Sequence, residues 1–277
     1  MNNLELEMYI VATPIGNLND ISERAIKTLK ECDLIICENP KHSLKLLNKL
    51  GIKKKLISLH DYNEKIVIQR LSREKGQKKA VLISDAGSPL ISDPGFKLIE
   101  YCIKNNIKTT SIPGATSVIP ALQLSGMPIN QFYFAGFFPK TRNQMITFIQ
   151  NIRKLDKTSV FFVSSHKIKN CIDIIELEMG DRIISISKEL TKINEKTFRG
   201  LGSNIKNLLM VDQNNLKGEF VVVVEGKLNE KNDLDIFDVE INKLLSKFSL
   251  TDVVEIVHKL TNINKNKVYK WVLNIKK

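Results

Sequence analysis

Lys79-Ala80-Val81-Leu82-Ile83-Ser84-Asp85-Ala86-Gly87-Ser88-Pro89-Leu90-Ile91-Ser92-Asp93-Pro94-Gly95 changes character part-way along. Its first five residues form a short apolar run, rich in strand formers and bounded by charge, the pattern of a strand buried in a parallel sheet. The loop from Ser84 to Gly95 therefore leaves the carboxyl end of a strand, which is where open α/β sheets bind ligands. Asp85 and Asp93 supply carboxylates. Gly87, Gly95, Pro89 and Pro94 fix the loop's shape, because proline locks φ and glycine reaches conformations closed to other residues. Asp93, followed by Pro94, is expected to cap a helix from Phe96 to Lys104. An ordinary strand-to-helix connection uses the same turn residues, so the loop alone leaves both readings open.

The same alternation extends on either side. Met8 to Thr13 reads as a strand broken by Pro14 and Gly16, with Asp20 and Glu23 spaced as a capping pair for a helix from Ile21 to Glu31. Asp33 to Cys37 is a strand that runs into the polar loop Glu38-Asn39-Pro40-Lys41-His42, and a helix from Ser43 to Leu50 closes at Gly51. Leu56 to Leu59 ends at His60-Asp61-Tyr62-Asn63-Glu64, ahead of a helix to Lys75. Lys108 to Ile112 ends at Pro113-Gly114-Ala115-Thr116-Ser117. This predicts an α/β fold with a parallel sheet whose loops gather on one edge.

Past Met127-Pro128 and Gly136-Phe137-Phe138-Pro139 the composition shifts to the strands Thr158 to Val163, Arg182 to Ser187 and Gly218 to Glu225, with a helix from Lys167 to Leu177. The β-branched run Val221 to Val224 is expected to be the central strand of a second α/β domain. Asn229 to Asp235 reads as a linker. Ile241 to Phe248, Thr251 to Leu260 and Lys265 to Ile275 carry apolar residues at helical spacing, with Ser249 and Asn264 as caps. This tail looks like a helix-turn-helix module with a lysine rim (Lys259, Lys265, Lys267, Lys270, Lys276, Lys277), or a packing cap. The expected organisation is thus an N-terminal α/β domain over residues 1–116, a second over 117–228, and a helical module over 233–277.

The chain of 277 residues has a formal net charge of +12 and a pI near 9.4, which suits a polyanionic partner. The excess of lysine beside isoleucine and asparagine equally fits an AT-rich genome. No stretch approaches the roughly 20 apolar residues of a membrane span, and Met1 to Glu7 is too short and acidic for a signal peptide. A cytoplasmic protein without membrane attachment is expected. Cys32, Cys37, Cys102 and Cys171 form no Cys-x-x-Cys pair and read as buried thiols, with no metal site.

With the loops in view, the chain resembles the tetrapyrrole-methylase superfamily and, within it, the bacterial ribosomal RNA small-subunit methyltransferase I enzymes. The resemblance rests on Ala12 to Ile21, on Ser84 to Gly95, on Ile112-Pro113-Gly114 and Gly136-Phe137-Phe138-Pro139. It continues through Lys188-Glu189-Leu190-Thr191-Lys192, Lys217-Gly218-Glu219-Phe220 and the three-helix tail. It implies S-adenosyl-L-methionine held in the cleft between two α/β domains, 2′-O-methylation of a cytidine ribose in the decoding region of 16S rRNA on the small ribosomal subunit, and a homodimer. The cofactor-binding residues it suggests are Pro14, Ile15, Gly16, Asp85, Ala86, Gly87, Ser88, Pro89, Gly114, Ser117, Val118 and Val163. Asp85 suits the cationic or hydroxyl parts of that cofactor, Gly87 and Gly114 a close backbone approach, and Pro14 and Ile15 an apolar wall.

Transfer of a methyl group to a hydroxyl requires that a proton leave, which invites a general base. Glu38, His60, Glu64 and Glu189 stand at strand ends as candidates, with Glu38 preferred; each could equally be a buried cap or an ion-pair partner. Two departures bear on this choice. Glu38-Asn39-Pro40-Lys41 stands where the family usually has Glu-Asp-Thr-Arg, and Phe162-Val163-Ser164-Ser165-His166-Lys167 where it has Tyr-Glu-Ser-Pro-His-Arg. Each loses a carboxylate. A catalytically weakened ribosome-binding homologue, or a methyltransferase of the same fold acting on a small acceptor, are the alternative readings.

Overall fold

Five strands, β1 (Leu6–Val11), β2 (Leu34–Cys37), β3 (Lys55–Ser58), β4 (Lys78–Ile83) and β5 (Lys108–Ile112), pair in parallel in the order β3-β2-β4-β1-β5. The computed structural model describes residues 6–73, 78–180, 182–227, 238–261 and 263–275, in two units, Met1–Lys227 and Leu228–Lys277. Because strand side chains alternate, Ala80 and Leu82 of β4 join one buried layer with Val67, Leu71, Leu98 and Cys102. Val81 and Ile83 join another with Ala25, Leu29 and Leu47. Helices α3 (Glu64–Ser72) and α4 (Phe96–Lys104) therefore cover one face of the sheet, and α1 (Glu23–Glu31) and α2 (Pro40–Lys49) the other. Burial on both faces explains why β2 and β4 are continuous rather than alternating apolar runs.

Helix starts differ from the sequence expectation, each for a local reason. The cap of α1 is Ser22, whose Oγ accepts from Ala25 N at 3.2 Å, while Asp20 belongs to a preceding 3₁₀ turn. α2 begins at Pro40 rather than Ser43, since Asn39 Oδ1 accepts from Lys41 N at 3.1 Å and His42 N at 3.3 Å and Pro40 needs no donor at the first position. α4 starts where expected, but Asp93 does not cap it. Gly95 holds the N-cap at φ 123°, and its N–H donates to Glu64 Oε1 of α3 at 2.6 Å.

The second sheet, with strands β6 (Phe132–Phe137), β7 (Thr158–Ser164), β8 (Ile183–Lys188), β9 (Lys196–Leu201) and β10 (Glu219–Val224), runs β6-β7-β10-β8-β9. Only β6 and β7 pair in parallel; the other pairs are antiparallel. β10 is central, as its valine run predicts. Helix α5 (Val118–Ser125) packs on one face and α6 (Arg142–Arg153), α7 (Ile168–Met179) and α8 (Gly202–Met210) on the other. The sequence reading left out α5, α6, α8, β6 and β9.

The second unit has helices α9 (Asp238–Leu245), α10 (Leu250–Thr261) and α11 (Lys265–Ile275) around its own core of Ile241, Val253, Val257, Val268, Trp271 and Val272. Trp271 Nε1 donates to Asp238 Oδ1 at 3.0 Å. Ser249 and Asn264 serve as caps, accepting from Asp252 N at 3.3 Å and Asn266 N at 2.9 Å. The expected linker Asn229 to Asp235, and Lys276 and Lys277, lie outside the described residues. Among the described residues no helix is long and apolar enough to cross a membrane. All four cysteines are free and buried.

Candidate active site

Parallel pairing brings the carboxyl ends of β1 to β5 to one edge, and there the loops after β1, β4 and β5 interlock. Thr13 N donates to Gly87 O at 2.8 Å and Gly87 N to Thr13 O at 2.9 Å, an isolated bridge outside the sheet. Ser84 Oγ donates to Gly87 O at 2.8 Å and Thr13 Oγ1 to Ser84 O at 3.2 Å. Gly87 sits at φ 82°, and a Cβ there would stand 3.3 Å from Ile15 Cγ2. The position thus requires glycine for its backbone angle and for the space beside Ile15. Gly114 admits the β5 loop against β1, since a Cβ would lie 2.9 Å from that of Ala12.

Between these loops and the second sheet lies a cavity of about 370 Å³, within the size range of small-molecule sites. Of the residues singled out by sequence, Ile15, Asp85, Ala86, Gly87, Ser88, Ser117 and Val163 line it. Pro14, Gly16, Pro89, Gly114 and Val118 do not line it. Val118 and Ile15 pack in one apolar cluster, and a Cβ on Gly16 would collide with the Lys192 side chain. Asn17 N donates to Thr191 Oγ1 at 3.1 Å, so the Gly16 turn is also a bond between the two halves of the first unit.

The opposite wall was largely missed. Phe137, Phe162, Leu190, Phe220 and Val221 make it apolar, and Ser164 and Glu219 add polar atoms. A β-bulge in β6 at Gly136, φ 75°, shifts the register so that Phe137 pairs with Phe162. Their rings lie 5.2 Å apart at 58°. The glycine within an aromatic strand was the available signal for that bend.

The carboxylates on the two sides differ. Asp93 lines the cavity, and burial raises its pKa to about 6, helped by the charges of Glu38 and Asp85. Glu38 is exposed at the end of β2, yet partial desolvation of its carboxyl, then Asp85 and Asp61, raise it too. Asp85 Oδ1 accepts from Asn39 N at 3.3 Å. Across the cavity, Glu189 does not line the wall. Burial would raise its pKa, but the Glu219 N–H at 2.9 Å and Lys192 Nζ at 3.0 Å outweigh this and hold it low. Glu64 is buried on Gly95 N. His60 is exposed, its ring 6.2 Å from that of Tyr62, and it does not line the cavity. His166 Nε2 lies 3.4 Å from Ser164 Oγ.

Residues 7–206 match the family of Tetrapyrrole (Corrin/Porphyrin) Methylases. The chain belongs to this family. Within it, the chain is 38% identical over 280 residues to the ribosomal RNA small subunit methyltransferase I of Pasteurella multocida, covering 99% of each. It is 39% identical over 223 residues to the Thermotoga maritima protein of the same name, covering 80% of this chain and 99% of that one. Among solved tetrapyrrole-methylase folds, a diphthine synthase superposes with TM-score 0.60 at 16% identity, over 79% of this chain and 90% of the other. A cobalt precorrin-4 methyltransferase superposes with TM-score 0.57 at 14% identity, over 79% and 94%. Those two likenesses are of fold.

Proposed function

We propose that this tetrapyrrole methylase uses S-adenosyl-L-methionine to methylate 16S ribosomal RNA of the small ribosomal subunit, at the ribose 2′-hydroxyl of a cytidine in the decoding region, as a cytoplasmic homodimer. The observation that carries this reading is the similarity over 99% of both chains to an enzyme named as a small-subunit rRNA methyltransferase. The donor supplies a methyl group on a sulfonium sulfur, borne on an adenosine with an amino-acid head.

The residues present fit such a ligand. Asp85 lines the cavity without a lysine, arginine or histidine among the other lining residues, so a cationic group of the donor has an acceptor there. Ile15, Phe137, Phe162 and Phe220 supply flat and apolar surface for an adenine. Gly87 brings backbone close at a positive φ. Ser117, Val163 and the interlocked loops complete the seat, while Gly16, Gly114 and Val118 pack against its surroundings. Such a reaction needs orientation and exclusion of water more than polar machinery, which an apolar wall facing a rigid loop edge provides.

The two departures from the family pattern fall where they do little harm to this seat. Asn39 caps α2 with the same oxygen geometry a carboxylate would use. Val163 sits in β7 within the apolar wall, where shape suffices. For the RNA, Lys259, Lys265, Lys267 and Lys270 are exposed on α10 and α11, and phosphate contacts by such lysines make binding salt-dependent.

Incubating the protein with methyl-labelled donor and small subunits from cells that lack it tests the reading. Label in a cytidine ribose of the decoding region is expected. Replacing that cytidine by its 2′-deoxy form should abolish transfer while most phosphate contacts persist. Label in a base, in a small molecule only, or nowhere overturns the proposal.

A further inference from the structure

We propose that Asp93 is the group that takes the proton from the acceptor hydroxyl. This rests on the methyl-transfer reading above. Its position comes first: Asp93 lines the cavity from the loop after β4, beside Asp85 and across from Ser164 and Phe137. Sequence assigns it the capping of α4, but Gly95 and Glu64 perform that task. Among the described residues its carboxylate has neither a hydrogen-bond donor nor a cationic partner. A half-buried carboxylate without a partner costs stability, and the fold does not need this one for its own bonds.

The backbone around it is also held in costly conformations. Leu90 at φ 73° and Ser92 at φ 70° are left-handed non-glycine residues, and Gly95 follows at φ 123°. Strain of this kind persists where the surroundings over-determine a geometry, and it collects at working sites.

The other candidates are less well placed. Glu38 is exposed and outside the lining, Glu189 is taken by Lys192 and the Glu219 amide, and His60 is solvent-facing. Glu64 is buried on Gly95 N. His166 reaches the cavity only through Ser164.

Proton affinity agrees with this geometry. Burial, then Glu38 and Asp85, raises the Asp93 pKa to about 6. The charges acting on it are Glu38 after β2 and Asp85 in its own loop; Glu64 from α3 is bound to Gly95 N, and Glu219 at the start of β10 is paired with Lys192. Asp93 is therefore ionised at neutral pH yet a far better base than a free aspartate, the compromise that general-base catalysis favours. In the step, the ribose oxygen bonds to the methyl carbon as that carbon's bond to sulfur breaks and its electron pair stays on sulfur. The hydroxyl proton passes to an Asp93 oxygen, leaving a neutral carboxylic acid that later gives the proton to water.

Single-turnover methylation of small subunits, followed across pH for wild type, Asp93→Asn and Asp93→Glu, tests this, with calorimetry of S-adenosylmethionine binding as the check on folding. The wild-type rate should rise with pH up to about 6 and level off above it. Asp93→Asn should bind the donor as wild type does but lose about 10² to 10⁴ in rate, and the acid limb with it. Asp93→Glu should recover part of the rate with a shifted limb. An Asp93→Asn enzyme with near-normal rate, or one that keeps the same limb, overturns the assignment. So does a loss of rate matched by a loss of donor binding in both variants. Wild-type protein that places no methyl on the RNA overturns the functional reading first, and this one through it.

Discussion

Two groups of acidic residues lie on either side of one cavity, and they have opposite chemistry. On the first sheet's edge, Glu38, Asp85 and Asp93 share space with no ion pair to a cation among the described residues, and burial and mutual repulsion raise the pKa of Glu38 and Asp93. On the second sheet's edge, Glu189 and Glu219 share Lys192, whose Nζ stands 3.0 and 2.9 Å from them. The first group is frustrated and available; the second is satisfied and structural. Carboxylates at the strand ends of the two sheets thus separate into reactive and architectural roles by whether a lysine reaches them.

Breaking the rigid frame under the first group should have the largest effect. Gly87→Val puts a β-branched side chain at φ 82° and presses it on Ile15. Strain and overpacking together should cost about 3 to 5 kcal/mol, split between stability and donor affinity. Calorimetry that finds normal donor binding would mean that the loop does not face the ligand. Next comes the satisfied group. Glu189→Ala strands the Glu219 N–H and leaves Lys192 with Glu219 alone, and should cost about 1 to 3 kcal/mol of stability by thermal melting. Because the Glu189 pKa is held low, its stabilising contribution is full at neutral pH. It should fade only as pH falls below the ordinary carboxylate value of 4.5 and through the lower folded one. Glu189→Gln should leave the acid limb of the methylation rate in place; disappearance of that limb would erase the contrast between the groups. Asp85→Ala comes third, with a loss of about 1 to 2 kcal/mol in donor affinity. Unchanged affinity would remove Asp85 from the seat.

The architecture could be read from sequence where local signals suffice. The run Lys79 to Ile83 reads as an interior parallel strand, and Ala80 to Ile83 are buried in one; Val221 to Val224 reads as a central strand, and β10 is central. Helix α5, by contrast, carries apolar residues almost all round and no side-chain cap, so its period gives no sign of which face is buried. Strand β6 is bent at Gly136 and reads as a turn. Within the site, Asp85 and Gly87 were identifiable because a strand end and glycine chemistry announce them, and Ile15 through the family resemblance. Asp93 was not. Its sequence context, Asp-Pro-Gly before a helix, is a capping pattern, and what cancels it is the left-handed Gly95 together with a glutamate from another helix. The choice between Glu38, Glu189 and Asp93 turns on which lysine or amide lies near each in three dimensions, and spacing along the chain does not encode that.

The smallest predicted effect is also the one that most directly tests whether Asp93 is held against its own preference. Its carboxyl has an ordinary pKa of 3.8 and a folded value of about 6, so the folded protein binds a proton there that the unfolded chain has already lost between those two values. Stability must therefore fall as pH rises from 3.8 to about 6 and stay reduced above it. Asparagine cannot ionise and escapes this penalty. Full conversion of the shift would give roughly 3 kcal/mol, but Asp93 is only half-buried and water screens it, leaving about 1 kcal/mol. For a unit of this size that is about 2 to 4 °C. Asp93→Asn should accordingly melt higher than wild type at pH 8, with the gap closing as the buffer approaches pH 4, even as its methylation rate falls. Such opposition of activity and stability is what a carboxylate kept for chemistry produces. A gap of constant size across pH, or a variant that melts lower throughout, would show that Asp93 is satisfied after all and belongs with Glu189.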